Sequence, residues 1–172
     1  AQRKQTETEI MTEIVNHINA HPETLDHRVL VLSGKGWHHG VIGIVSSRIL
    51  EFYGKPNVII SIDDDGNARG SARSVKGFNI FKCFQHCGEL LEKYGGHECA
   101  GGLSLKAKNI EKFTQMVYEY SDSMEKFPSV ELTADKLLMP QDINLDNVKG
   151  LATMEPFGAE NPAPIFAMLG AR

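Results

Sequence analysis

Gly95-Gly96-His97-Glu98-Cys99-Ala100-Gly101-Gly102 is the stretch on which the reading of this chain turns. Four glycines in eight positions, with one histidine among them, cost too much chain entropy for an ordinary loop. The pattern points to backbone brought close to another segment or to a bound ligand. Just upstream, Phe78, Phe81, Phe84, Cys87, Leu91 and Tyr94 recur at helical spacing, which predicts a core-facing helix over 78–94. Gly95 then fits the left-handed position that ends such a helix. Ala100 to Leu105 follows as a strand, and 110–124 as an amphipathic helix carrying Ile110, Phe113, Met116, Val117, Tyr120 and Met124.

Further upstream, Ile10, Ile14 and Ile18 form the i, i+4, i+8 stripe of an amphipathic helix over 5–20. His27 to Leu32 is short and β-branched, a buried strand. Residues 33–40, Ser-Gly-Lys-Gly-Trp-His-His-Gly, turn the chain into an apolar helix over 41–53 that Gly54 and Pro56 stop. Strand, glycine-rich turn, helix is a geometry that aims free N–H groups at an anion. Residues 34–40 fit neither the Walker loop nor the dinucleotide fingerprint, so a tight turn and an anion site both stay open. Val58 to Ile62 is a second buried strand, and Asp65-Gly66 predicts a type I′ hairpin turn after it. In the returning strand, 67–74, Ala68, Gly70 and Ala72 share one face, and Arg69, Ser71 and Arg73 the other. Two guanidiniums and a hydroxyl in a row read an oxyanion well.

After Phe127-Pro128 the pattern changes. Residues 130–138 predict a strand, 142–154 a helix or helical turn, and a proline-rich loop over 156–164 leads into 165–169. This tail is short for an independent domain and reads as the start of one.

Composition is that of a soluble protein, 41% apolar and 23% charged. No apolar run approaches the ~20 residues that span a bilayer, and no secretory leader opens the sequence. The three cysteines suggest a reducing cytoplasm. With a net charge of −4, any phosphate recognition must be local, built from a few arginines and backbone N–H groups. Cys83, His86, Cys87, His97 and Cys99 form no Cys-x-x-Cys pair and read as buried or structural rather than metal-binding. Asp63-Asp64-Asp65 misses the calcium-loop pattern at Ala68. No nucleophile–base pair stands out. The turn bearing His38, the Arg69/Ser71/Arg73 face and His97 together describe a phosphate pocket without the machinery to cleave.

Four segments, in order, carry a resemblance. They are Gly36-Trp37-His38-x-Gly40-Val41-Ile42-Gly43-Ile44-Val45-x-x-Arg48, then Gly70-Ser71-x-Arg73-Ser74, then Gly95-Gly96-His97-x-x-Ala100-Gly101. Pro156-Phe157-Gly158-x-x-Asn161-Pro162-x-Pro164-x-Phe166 is the fourth. Together they resemble the RecJ family of single-strand-specific 5′→3′ DNA exonucleases, within the DHH phosphoesterase superfamily. His39 stands where the family often has proline, and Gly101 where it often has a second alanine.

The resemblance implies an α/β fold: a mixed β-sheet flanked by helices, then an incomplete C-terminal β-rich segment. It divides the chain into a linker helix from an upstream domain (1–22), a DHH-associated substrate-binding domain (23–127) and the start of an OB-fold (128–172). Ser71 and Arg73 would hold a DNA 5′-phosphate, with Arg69, Gly95, Gly96, His38 and Arg48 as further substrate contacts. His97 would act at the scissile phosphate. Metal ligands would be absent from this segment, so it would need no cofactor itself and be inactive alone. The Mn²⁺ or Mg²⁺ ions of the two-metal reaction would sit in a missing catalytic domain. The partners implied are single-stranded DNA, repair proteins such as a single-strand-binding protein or a helicase, and no membrane. An oligonucleotide or cyclic-dinucleotide phosphodiesterase module, and a non-catalytic phosphate-binding adaptor, are the alternative readings.

Overall fold

In the computed structural model, residues 2–128, 133–158 and 160–170 are described. The first compact unit runs to Val130 and the second from Glu131. In the first, α1 (Gln2–Ala20) precedes β1 (Leu30–Lys35), α2 (Ile42–Tyr53), β2 (Asn57–Ile62) and β3 (Asn67–Arg73). Then come α3 (Ile80–His86), β4 (Leu91–His97), β5 (Ala100–Lys106) and α4 (Ile110–Asp122). The strands form one mixed sheet in the order β1-β2-β3-β5-β4, with β1 and β2 parallel and the other pairs antiparallel.

Strand alternation sends the apolar side chains to two cores, one on each face. On one face Leu30, Leu32 and Ile59 meet Ile10, Ile14 and Ile18 of α1 and Val45 and Ile49 of α2. Burying each of those isoleucines contributes about 1.5–3 kcal/mol, so α1 is packed into this unit along its whole stripe. On the other face Val58, Ile60, Ala68, Ala72, Leu103 and Leu105 meet Phe84 of α3 and Phe113 and Val117 of α4. As expected, the small side chains of β3 face inward.

Three local readings are corrected. The first strand starts at Leu30 and runs through Ser33-Gly34-Lys35, because the Trp37 ring lies directly on the strand. A Cβ at Gly34 would sit 2.1 Å from that ring. The chain turns only at Gly36, where φ is +73°. Between β2 and β3, Gly66 alone is left-handed, so the turn is not the expected type I′ pair. The Gly66 N–H closes a turn on the Asp63 carbonyl, and the Asp63 carboxylate accepts from the N–H groups of Asp65 and Asn67.

The largest correction falls on 78–105. The predicted helix over 78–94 ends at His86, with Cys87 as its C-cap, and Leu91 to His97 is a strand paired with β5. Gly95 stops no helix. The glycine stretch is instead the tip of the β4–β5 hairpin, where Gly96 adopts φ +143°. A Cβ there would come within 2.3 Å of the Ala100 carbonyl oxygen, and one at Gly101 within 2.8 Å of the Phe84 ring. These two glycines are demanded by the fold.

In the second unit, β6 (Lys136–Leu137) pairs in parallel with β7 (Phe166–Ala167), and α5 (Leu145–Leu151) lies between them in the chain. Residues 130–132 of the predicted strand lie outside the described residues.

Gly96→Ala and Gly101→Ala should each lower unfolding free energy in urea by about 1–3 kcal/mol, from backbone strain in one and overpacking in the other.

Candidate nucleic-acid interface

Antiparallel pairing places directly opposed residues on one face of a sheet, so the register of β3, β5 and β4 defines rows. Arg73 lies opposite Ala100, and Ala100 opposite His97. The next row is Ser71, Gly102, Gly95, and the one beyond it Arg69, Ser104, Lys93. All nine share the face that α1 and α2 cover over β1 and β2. Past β3 that helical layer ends, and Gly95, His97 and Gly102 are exposed. Two strand spacings put Arg73 and His97 about 10 Å apart across the floor.

Gly95 and Gly102 have no positive φ, and a Cβ on either would meet nothing closer than 3.7 Å. Unlike Gly96 and Gly101, they are not required by the backbone. Their effect is to leave the floor between the basic edge and the histidine bare.

At the inner edge, Arg73 is half-buried beneath α2. Its Nε donates to Ser47 Oγ at 3.1 Å and its Nη1 to the Ala72 carbonyl at 2.9 Å. Gly43, in the first turn of α2, brings its backbone against the same place: a Cβ on it would lie 3.3 Å from Ser71 Oγ and 3.9 Å from Arg73 Nη2. The Ile42 and Ile44 N–H groups already donate to the His38 and Val41 carbonyls. Hydroxyl and guanidinium therefore converge against the Gly43 backbone, and they suit an oxyanion.

At the outer edge, His97 ends β4. The Cys99 N–H donates to His97 Nδ1 at 3.4 Å, which in the neutral ring leaves the proton on Nε2. The Glu98-Cys99 turn has no left-handed residue, and the ladder is paired up to His97 and Ala100 on either side of it. Three tertiary bonds hold it. Gly77 N–H donates to the Glu98 carboxylate at 2.8 Å, Ile80 N–H to the Glu98 carbonyl and Ser74 N–H to the Cys99 carbonyl.

The remaining predicted residues are distributed less evenly. Arg69 is exposed and lines a cleft of about 230 Å³ with His39, Ser61 and Asp63. Hydrogen bonds from the Asn67 N–H and side chain, with the charge of Arg69 adding to them, hold the Asp63 carboxyl below its ordinary value. His38 faces a separate cleft with Arg3, Thr6 and Val41, and its Nδ1 accepts from the Gly40 N–H at 3.1 Å. Arg48 pairs with the buried Glu7 of α1, Nε to Oε1 at 2.5 Å, a close charge contact without hydrogen-bond alignment. Gly43 and Gly102 lie within the quoted stretches but were not named as site residues from the sequence, and neither were Ser47, Lys93 and Ser104. Only the pairing of β5 with β3 and β4 would have revealed Gly102, Lys93 and Ser104.

Among the described residues, no group of three or more His, Cys, Asp or Glu side chains is placed to hold a metal ion. Cys83 and Cys87 are buried in the α3 core, where the hydrogen bond that the Cys83 S–H donates to Cys87, together with burial, pushes the Cys83 thiol well up.

Residues 26–122 match the DHHA1 domain and residues 134–172 the RecJ OB domain. Over 144 residues the chain is 34% identical to the single-stranded-DNA-specific exonuclease RecJ of Bacillus subtilis, covering 81% of this chain and 18% of that protein. It is 31% identical to Escherichia coli RecJ over 141 residues, covering 76% of this chain and 24% of the relative. Thermus thermophilus RecJ solved in complex with Mn²⁺ superimposes with a TM-score of 0.76 and 30% identity over 98% of this chain and 24% of that one. The form with Mg²⁺ gives 0.74 and 28% over 96% and 25%. The chain thus spans about a fifth to a quarter of these relatives' length.

Because Gly95 and Gly102 are not structural, Gly95→Ala and Gly102→Ala should leave unfolding free energy unchanged or raise it by up to about 1 kcal/mol. A loss as large as that of Gly96→Ala would contradict the distinction.

Proposed function

The chain belongs to the RecJ family, and from that premise we propose that it forms the substrate-holding wall of a 5′→3′ single-stranded-DNA exonuclease. The observation that carries this reading is the bare floor between Ser71/Arg73 and His97, on a face the helices leave open. Ser71 and Arg73 hold the 5′-terminal phosphate, with Gly43 backbone behind it. Arg73 forks onto the phosphate oxygens. His97 donates through Nε2 to a non-bridging oxygen of the scissile phosphate, as an oxyanion-hole donor does. Gly95 and Gly96 bring the hairpin backbone to the same strand. His38 and Arg48 act through the 36–41 turn and α1.

Hydrolysis assisted by two divalent cations is the chemistry this reading implies. Among the described residues no ligand set fits such an ion; this reading gives its ligands to a catalytic domain of the full-length enzyme and makes the chain inactive alone. Repair and recombination in the cytoplasm, alongside a single-strand-binding protein or helicase, is the setting implied. No helix among the described residues is long and apolar enough to cross a membrane. A small-nucleotide phosphodiesterase module is the weaker reading, since residues 134–172 match the RecJ OB domain.

Arg73→Ala in the full-length enzyme should weaken the preference for 5′-phosphorylated over 5′-hydroxyl ends by about 1.5–3 kcal/mol, the range for hydrogen bonds to charged groups. Equal preference before and after would remove Arg73 from the pocket. His97→Ala should lower kcat more than it weakens DNA binding; a pure affinity loss would make His97 a wall residue. The isolated 172-residue chain with Mn²⁺, free of contaminating nuclease, should release no nucleotide from single-stranded DNA.

A further inference from the structure

The row Arg69, Ser104, Lys93 has no role in holding a terminal phosphate. Four residues of strand at about 3.4 Å each separate Arg69 from Arg73, roughly 14 Å, which is beyond the span of one nucleotide. Yet this row repeats the chemistry of the first: cation, hydroxyl and cation across three strands, all on the open face. Arg69, Ser104 and Lys93 line one cleft of about 330 Å³ at the far end of the floor, together with the carboxylates of Asp63 and Glu92.

Neither Arg69 nor Lys93 has an ion-pair or hydrogen-bond partner among the described residues. The nearby carboxylates are already engaged. Asp63 accepts three hydrogen bonds within its own turn, and Glu92 pairs with Lys106 at 3.3 Å. Arg69, Lys93 and Lys106 against Asp63 and Glu92 leave a small local excess of positive charge around the hydroxyl, in a chain of net charge −4.

We infer that Arg69, Ser104 and Lys93 form a second phosphate subsite, which holds an internal phosphodiester of the same strand two or three nucleotides from the 5′ end. The inference rests on the terminal-phosphate reading for its polarity. The strand then crosses the floor from Ser71/Arg73 on β3 to His97 on β4 and turns along the strands, so that a later phosphate reaches Arg69/Lys93. Gly102 and Gly95 give clearance to the nucleoside between them. Charge and a hydroxyl without base-edge donors make the subsite indifferent to sequence.

The test uses the full-length protein in EDTA, which prevents hydrolysis, and two ligands, 5′-phosphorylated thymidine dinucleotide and tetranucleotide. Arg69→Gln with Lys93→Gln should weaken tetranucleotide binding about tenfold or more, as for lost hydrogen bonds to a charged group, and leave dinucleotide binding unchanged. The salt dependence of tetranucleotide binding should fall by about one unit of slope per cation removed. Arg69→Lys with Lys93→Arg, which keeps the charge, should retain most of the affinity and guards against a folding defect. An unchanged tetranucleotide affinity, or equal weakening of both ligands, would overturn the subsite. Arg73→Gln serves as the separate arm: if it leaves dinucleotide binding intact, the terminal-phosphate reading fails, whatever the second row does.

Discussion

The Phe84 ring lies against the backbone of Gly101 so closely that a single added carbon would collide with it. That contact decides which side of the β4–β5 hairpin is buried. Side chains alternate along a strand, so committing Gly101 to the α3 core turns Ala100 and Gly102 the other way. Pairing carries the choice outward to Arg73 and Ser71 on β3 and to His97 and Gly95 on β4. A slip of one residue would bury the histidine side and expose the core side.

Glycine appears on this face for two different reasons. Gly96 and Gly101 are needed because the hairpin bends and packs too tightly for a Cβ. Gly95 and Gly102 meet no such obstacle and carry a cost in unfolded-chain entropy without a folding benefit. Under the proposed function, that cost corresponds to clearance for the bound strand. The edges of the clearing are built from rigid parts. Arg73 is tied to Ser47 and its own strand, and the turn behind His97 is tied to residues 74–80.

Much of the architecture was legible. The isoleucine stripe of α1 and the alternation of β3 are both found where spacing placed them, because each element buries one simple face. The region 78–97 was not legible, and the reason is specific. Phe81 and Tyr94 do pack together, with ring centroids 6.0 Å apart, but across α3 and β4 rather than along one helix. Contact between two elements reproduced a helical spacing. For the site, Ser71, Arg73 and His97 could be named from sequence, whereas Lys93 and Ser104 depend on strand register. The pairing of Arg48 with Glu7 depends on how α1 docks, which no local pattern announces.

Whether one face of β3, β5 and β4 holds a single strand by its phosphates is tested most directly by the amide chemical shifts of this chain as a 5′-phosphorylated oligonucleotide is added. On the proposed binding, Gly43, Ser71, Arg73, Gly95, His97 and Gly102 move together and α3 and α4 stay still. Shifts concentrated on the α3–α4 face, or none at the glycine floor, would contradict it.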